Sequence, residues 1–474
     1  MAETLKADAC IIGAGTGGYP CAIKLGQLGK RVVIVEREAI GGVCLNWGCI
    51  PSKAVIQAAD FYERTKKAAA EMGIAGADAS SVDMPRLQEW KSKIVERLTG
   101  GVGQLLKAGK CEVLRGQAKV AARGVVEVSP RDGPPVRVEA PAIVVASGAR
   151  PIELPGVKID EKRILSSRGV LDLTEVPARV VVVGGGIIGL ELGTALRKLG
   201  SEVTVVELLD TLLYGVDPDA VRWVARKLKA LEVEVLLEHK VSSVADGKGG
   251  ALVATVTDKD GKDPRAIECE KLLLSIGFRP NSGDMGLEAL GVALDKRGHI
   301  VVNERLETSV AGIYAVGDVT GPPYLAHRAT KQGVTAAEVI AGHHAAYDVR
   351  AMPSAIFTDP EIATVGLSEA QAREQGFAPK TGKFPFSALG KAQVHEHPAP
   401  GVCKIVSDAK TGLLLGAVLA GHGVNDLIAE VALGIEMGAM AEDLALTVHP
   451  HPTMSEAVME AAEANAFGKS IHAL

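Results

Sequence analysis

Ala9-Cys10-Ile11-Ile12-Gly13-Ala14-Gly15-Thr16-Gly17-Gly18 is a short apolar strand that runs straight into a glycine turn. Tyr19 to Leu28 follows with helical spacing, Gly29 stops it, and Arg31–Val35 reads as a second strand ending at Glu36. The same unit returns in mid-chain. Arg179–Val183 is a strand, Gly184-Gly185-Gly186-Ile187-Ile188-Gly189 the turn, Leu190–Leu199 the helix and Glu202–Val206 the next strand, ending at Glu207. In both units the acid stands 23 positions after the first glycine of the turn (13 to 36, 184 to 207). Two copies of one βαβ module set the fold class as α/β.

A lone glycine turn can arise for steric reasons only. Two copies, each after a strand, before a helix and with an acid at matching offset, point to dinucleotide binding. The first glycines, Gly13 and Gly184, serve a tight turn. Gly15 and Gly186 let backbone approach a pyrophosphate, and Gly18 and Gly189 let helix close on strand. Glu36 and Glu207 are placed to accept hydrogen bonds from a ribose diol.

Further along, Ala58–Ala108 reads as largely helical with a break near Gly73–Ser81, and Val113–Val138 as antiparallel strands. Ile143–Ala146 feeds Ser147-Gly148-Ala149-Arg150-Pro151, and Leu272–Ile276 feeds Gly277-Phe278-Arg279-Pro280-Asn281. These two Gly-x-Arg-Pro exits close the first and second modules. Ile313–Val316 is another strand, ending in Gly317-Asp318, where an acid at a strand's carboxyl end suits a cofactor hydroxyl or else caps the next segment. Beyond Tyr347–Pro353 the composition shifts to a separate α+β domain with no nucleotide turn. The division expected is 1–150, 151–277, 278–350 (returning to the first unit) and 351–474.

The 474 residues carry 52 Lys and Arg against 57 Asp and Glu, a formal charge of −5, which gives no electrostatic case for nucleic acid or an anionic membrane surface. No apolar run approaches the roughly 18 residues of a membrane span. Seven scattered cysteines do not make a secreted disulfide scaffold, and the first module begins almost at once, so a cytoplasmic chain is expected. In a reducing compartment a close cysteine pair is read as catalytic. Cys44 and Cys49 stand five apart just before Pro51 and a helical stretch, Ala54–Ala70. A helix N-terminus favours a thiolate, so a reducible disulfide is expected; the alternative is two buried apolar cysteines, and no nearby ligand set suggests zinc. A reducible disulfide needs a two-electron carrier able to face it, and a flavin bound by the first module fits; Lys53 either approaches that flavin or faces solvent, and Glu191 is its candidate partner. Near the end, His449-Pro450-His451-Pro452-Thr453-Met454-Ser455-Glu456 holds a histidine on an extended segment before a helix, with Ser455 as candidate N-cap. Glu456 could orient His451 as a base. Because the cysteines lack an obvious base in their own domain, that base is expected from another subunit.

Gly41–Lys53, both glycine turns, Gly317-Asp318 and His449–Glu456, in this order and spacing, resemble the dihydrolipoamide-oxidising branch of the pyridine nucleotide-disulfide oxidoreductase family, from Ala7 to about Phe467. The resemblance implies two Rossmann-like domains, for FAD and NAD, a C-terminal α+β dimerisation domain, and a homodimer with a shared site. It implies oxidation of dihydrolipoamide on the lipoyl domain of a 2-oxoacid dehydrogenase or glycine-cleavage complex. Cys44 would exchange with the lipoyl disulfide, Cys49 would lie against the flavin, and His451, oriented by Glu456, would be the partner-supplied acid–base. Lys53 would sit by the flavin, paired with Glu191. Glu36, Ala118, Ser147, Gly148, Asp318 and the Tyr324–His327 backbone, with Ala326 and His327, would contact FAD. Gly184–Glu191, Glu207, Val241 and Gly277 would line the NAD site, and no metal is expected. Another NAD(P)H-dependent disulfide or metal-ion reductase, or a non-catalytic flavoprotein subunit, is the rival reading. Trp47 and Phe278 depart from the family pattern, which commonly has a small aliphatic and an Arg there.

Overall fold

The computed structural model describes residues 3–395 and 399–473. Ala9–Ile12 pairs in parallel with Val32–Glu36, Ala9 opposite Val32, and Arg179–Val183 pairs in parallel with Glu202–Val206, Arg179 opposite Glu202. The register offset is the same in both copies, so the repeat holds in three dimensions. Ala9–Ile12, Ala142–Val145 and Val180–Val183 are buried on both faces, as parallel strands covered by helices must be. Each fully buried Val, Leu or Ile contributes roughly 1.5–3 kcal/mol, more than the roughly 0.5–1 kcal/mol that an interior glycine costs.

The first sheet has eight strands, in the order Glu3–Lys6, Val136–Glu139, Val125–Pro130, Glu112–Ala122, Val32–Glu36, Ala9–Ile12, Ala142–Val145, Ile313–Ala315. Its last strand lies beyond the second module in sequence, so the chain returns to the first unit. The second sheet is parallel, in the order Glu234–Leu236, Glu202–Val206, Arg179–Val183, Lys271–Leu274, Ile164–Leu165. The two Gly-x-Arg-Pro exits do more than close their modules. Ala149–Pro151 and Phe278–Pro280 pair antiparallel with each other and form a ribbon between the sheets. Arg150 Nη1 donates to Asn281 Oδ1 at 2.7 Å, and Ser147 Oγ to the Asn281 carbonyl at 2.7 Å.

The C-terminal unit is a five-stranded antiparallel sheet, in the order Ser354–Ile356, Ile362–Gly366, Leu414–Ala420, Val402–Asp408, Pro379–Pro385, with helices Val424–Met437, Ala441–Leu446 and Glu456–Phe467. The strands Ile362–Gly366 and Pro379–Pro385 escape the sequence reading because prolines and glycines border or interrupt them. Ser455 takes the N-cap position of the last helix but makes no cap hydrogen bond; its hydroxyl bonds Thr453 Oγ1 at 2.7 Å. Among the described residues no helix is long and apolar enough to cross a membrane.

Candidate functional site

One cavity of about 1790 Å³ runs between the two modules and is lined by both glycine turns, the cysteine segment and the start of the C-terminal unit. At its two ends the glycine turns share one backbone geometry. Gly13 (φ 103°) and Gly184 (φ 105°) take a backbone conformation that disfavours a side chain. A Cβ on Gly13 would also meet the Ala146 carbonyl oxygen at 2.3 Å, and one on Gly184 the Ser275 oxygen at 2.6 Å. Gly186 faces open space and Gly15 has only Gly42 within 4 Å of its would-be Cβ, so both turns leave room for a ligand. Gly18 and Gly189 do not line the cavity. A Cβ there would sit 1.9 Å and 2.2 Å from the Gly13 and Gly184 carbonyl oxygens, so their part is to seat the helix on the turn.

The two acids also match. Glu36 accepts from Ala14 N and Glu38 N, both at 2.7 Å, and Glu207 from Gly185 N at 2.6 Å and Leu209 N at 2.8 Å. Each carboxylate therefore holds its own turn while keeping lone pairs for a ribose, a structural duty that the spacing alone did not reveal.

The cysteine segment differs from its sequence reading. The two cysteines do not precede the helix. Cys44 lies within a six-residue helix, Gly42–Trp47, and Cys49 is the first residue of the long helix Cys49–Ala68. Gly48 (φ −138°, ψ −113°) makes the break between them and turns the thiols toward one another. Gly42 rests on the first glycine turn, where a Cβ would come within 2.6 Å of the Gly15 Cα. The Asn46 amide donates to the Ile40 and Gly42 carbonyls, both at 2.9 Å, and ties the short helix down. Cys44 and Cys49 are free thiols joined by a hydrogen bond, not a bridged disulfide. That bond from Cys44 and the nearby Lys53 ammonium, against burial, hold the Cys49 thiol below its ordinary range. The same bond, with burial, pushes Cys44 upward. Of the two sulfurs, the surroundings favour negative charge on Cys49 over Cys44.

Lys53 and Glu191 meet. Lys53 Nζ is 2.9 Å from Glu191 Oε2, and Glu191 is 4% exposed. No sequence signal marks their third member: Phe357 N donates to Glu191 Oε1 at 2.7 Å, and the Lys53 ammonium lies 4.4 Å from the Phe357 ring centroid. Trp47, on the cavity wall, carries the Arg168 guanidinium over its ring at 4.3 Å, and Arg168 in turn pairs with Glu38 at 2.6 Å. Phe278 packs edge-on against Tyr324, centroids 6.0 Å apart.

Ala118, Ser147, Gly148, Asp318, Ala326, His327, Val241 and Gly277 all line the cavity. Asp318 does not cap a helix, and burial pushes its carboxyl up to about 6 against the pull of Arg328. Gln332 accepts from Gly317 N at 2.8 Å and fixes the turn that presents it. The helix Ala326–Ala341 has no capping side chain, so its first N–H groups are open to the cavity.

His451 and Glu456 lie outside this chain's cavity. His451 Nδ1 is 2.8 Å from Glu456 Oε1, and its side chain is 77% exposed. Glu456 Oε2 takes Thr453 N at 2.8 Å. The neighbouring His449 is spent structurally, with Nε2 on Glu430 and Nδ1 on the Thr447 carbonyl, both at 2.8 Å. His451 alone presents a ring nitrogen outward, on a segment where Leu446 and Val448 are also exposed.

A two-nucleotide cavity with a thiol pair between its halves defines a disulfide oxidoreductase. Residues 7–333 match the pyridine nucleotide-disulphide oxidoreductase family and residues 352–462 its dimerisation domain. The chain is 44% identical to a dihydrolipoyl dehydrogenase of Haloferax volcanii over 467 residues, 98% of this chain and 97% of that one. It is 42% identical to a dihydrolipoyl dehydrogenase of Geobacillus stearothermophilus over 468 residues, 99% and 98% of the two chains. Among solved structures it superposes on LpdA from Mycobacterium tuberculosis with a TM-score of 0.88 at 27% identity, over 97% of this chain and 99% of that one. The flavoprotein disulfide reductase RclA from Escherichia coli gives 0.85 at 26% identity, over 97% and 99%. The chain belongs to the pyridine nucleotide-disulphide oxidoreductase family.

Proposed function

We infer that this chain, as a homodimer, oxidises dihydrolipoamide carried on a lipoyl domain to lipoamide and passes the electrons through FAD to NAD⁺. The observation that carries this is the Cys44–Cys49 thiol pair set against the first glycine turn, in one cavity with the second. The division 1–150, 151–277, 278–350 and 351–474 goes with this reading, supported by the separate sheets.

The residues fit both nucleotides. The Gly15 and Gly186 turns leave space for pyrophosphates, Glu36 and Glu207 keep free lone pairs for ribose hydroxyls, and Asp318 and the uncapped helix at Ala326 face the first nucleotide's side. Bound FAD supplies two-electron transfer between Cys49 and NAD⁺. In the oxidised protein Cys44 and Cys49 are bridged, and a dihydrolipoamide thiol attacks the Cys44 sulfur as the partner's His451 takes its proton. A mixed disulfide forms at Cys44, and Cys49 leaves as a thiolate beside Lys53. The second lipoyl thiol then displaces Cys44, closing lipoamide and leaving both cysteines reduced, with two electrons to hand on. Glu191 keeps Lys53 in place, and Glu456 holds the His451 tautomer. NAD⁺ reduction by dihydrolipoamide, measured at 340 nm with the purified protein, tests the reading; no turnover in flavin-loaded protein overturns it.

Glu207 sets the nicotinamide choice, because an acid on the ribose diol repels a 2′-phosphate. NADH is expected to exceed NADPH in kcat/KM by about 100-fold, and Glu207→Ala to narrow that ratio mainly through a weaker KM for NADH. Asp318 gives a pH dependence with a definite sign. With its carboxyl near 6, the ionised acceptor for a flavin hydroxyl is present above that pH and lost as pH falls through it. FAD affinity is therefore expected to weaken between pH 7 and 5, and Asp318→Asn to flatten that slope in a flavin-release titration.

A further inference from the structure

The helices Cys49–Ala68 and Ile187–Leu199 carry two ion-pair contacts between them, and the mechanism above uses only one. Near the cysteines, Lys53 meets Glu191 at 2.9 Å. Seven residues further along each helix (53 to 60, 191 to 198) the charges are reversed, and Lys198 Nζ lies 2.6 Å from Asp60 Oδ1 and 3.5 Å from Glu63 Oε2. Seven residues are two helical turns, so both contacts fall on the same stripe of each helix. A plus-then-minus stripe facing a minus-then-plus stripe has one matched register. Sliding either helix by two turns sets Lys53 on Lys198 or Glu191 on Asp60, like charge on like.

The second contact has the more deeply buried lysine. The Lys198 side chain is 2% exposed and also reaches Asp359 Oδ2 at 2.5 Å, which Lys227 approaches at 3.0 Å. Asp359 follows closely on Phe357, whose backbone N–H and ring hold Glu191 and Lys53. One short segment entering the C-terminal unit thus fastens both contacts. Burial works against the Lys198 ammonium, and Asp359 and Asp60 outweigh it and keep the charge. Taking Lys198 out breaks the Asp60 ion pair across the two helices and leaves Asp359 with Lys227.

We propose that Lys198 is a positioning residue: by holding Asp60 and Asp359 it fixes the register of the cysteine helix on the nucleotide-domain helix and so keeps Lys53 beside Cys49. This rests on the roles given above to Cys49 and Lys53. The groups that bear on Cys49 are Cys44, Lys53 and Glu191, with Tyr19 close to both thiols; Lys198 touches none of them directly and acts through the helix.

The test is the pH midpoint of the long-wavelength thiolate-to-flavin absorbance in the two-electron-reduced, flavin-loaded dimer. Lys198→Gln is expected to raise that midpoint by roughly 1 unit, the scale on which loss of a neighbouring opposite charge acts, and Lys198→Arg to restore it. Asp60→Asn, which leaves Lys198 on Asp359, is expected to move it the same way by less, and decides alone if Lys198→Gln does not fold. An unchanged midpoint in a flavin-retaining Lys198→Gln or Asp60→Asn protein overturns the proposal. A native dimer with no such band counts against the Cys49 role, and the proposal falls with it.

Discussion

Cys44→Ser is expected to lower lipoamide-linked turnover by at least about 10⁴-fold, the scale on which removal of a covalent nucleophile acts. The protein should still bind FAD and still pass electrons from NADH to an artificial acceptor. The split follows from position. Cys44 sits on a short helix anchored by Asn46 and by the Gly42–Gly15 contact, so a serine there disturbs little packing. It does remove the sulfur that forms the mixed disulfide. It also removes the thiol whose hydrogen bond most strongly favours the Cys49 thiolate. Stopped-flow reduction by NADH, beside steady-state oxidation of dihydrolipoamide, separates the two half-reactions. Loss of both together would place Cys44 in the scaffold instead of the exchange step.

His451→Gln is expected to cost about 10²–10⁴-fold in kcat, the range for a general acid–base, with little change in KM for NAD⁺. Glu456→Gln should cost less, because it leaves the imidazole present and only loosens its tautomer. Burial pushes the Glu456 carboxyl up, yet hydrogen bonds from His451 and Thr453 N bring it net below the usual range. Its stabilising charge is therefore present above the ordinary carboxylate range and is lost only as pH falls through the lowered value. The dyad thus stays assembled at neutral pH. A lowered kcat with an intact fold is the expected signature of Glu456→Gln; an unchanged kcat would remove the orienting role.

Much of this architecture is written in local signals. The strand–glycine–helix–acid repeat is short-range and periodic, so both modules, their offsets and their common register can be read along the chain. The cysteines, His451 and Glu456 are legible because prolines and glycines mark them off. What sequence leaves out is long-range. The pairing of the two Gly-x-Arg-Pro exits joins residues 149–151 to 278–280, and neither stretch signals its partner. Phe357 reaches Glu191 by a backbone N–H, for which any residue would serve, so its identity carries no trace of that duty. Pro51 sits in the first turn of the long helix, as its residue type suggests, whereas the helix that holds Cys44 is only six residues long and is cut off by Gly48, too short for a periodic signal.

In the proposed dimer each site takes its thiols from one subunit and its base from the other. Within this chain His451 lies outside the cavity that holds Cys44, on a domain matching the family's dimerisation domain. Mixing Cys44→Ser and His451→Gln proteins under conditions that exchange subunits tests it directly. In a two-fold dimer made by random exchange, half the molecules are mixed and each holds one complete site, so about a quarter of native dihydrolipoamide oxidation should return. Recovery to that level is the predicted result; activity no higher than the sum of the two inactive parents would show that each chain completes its own site.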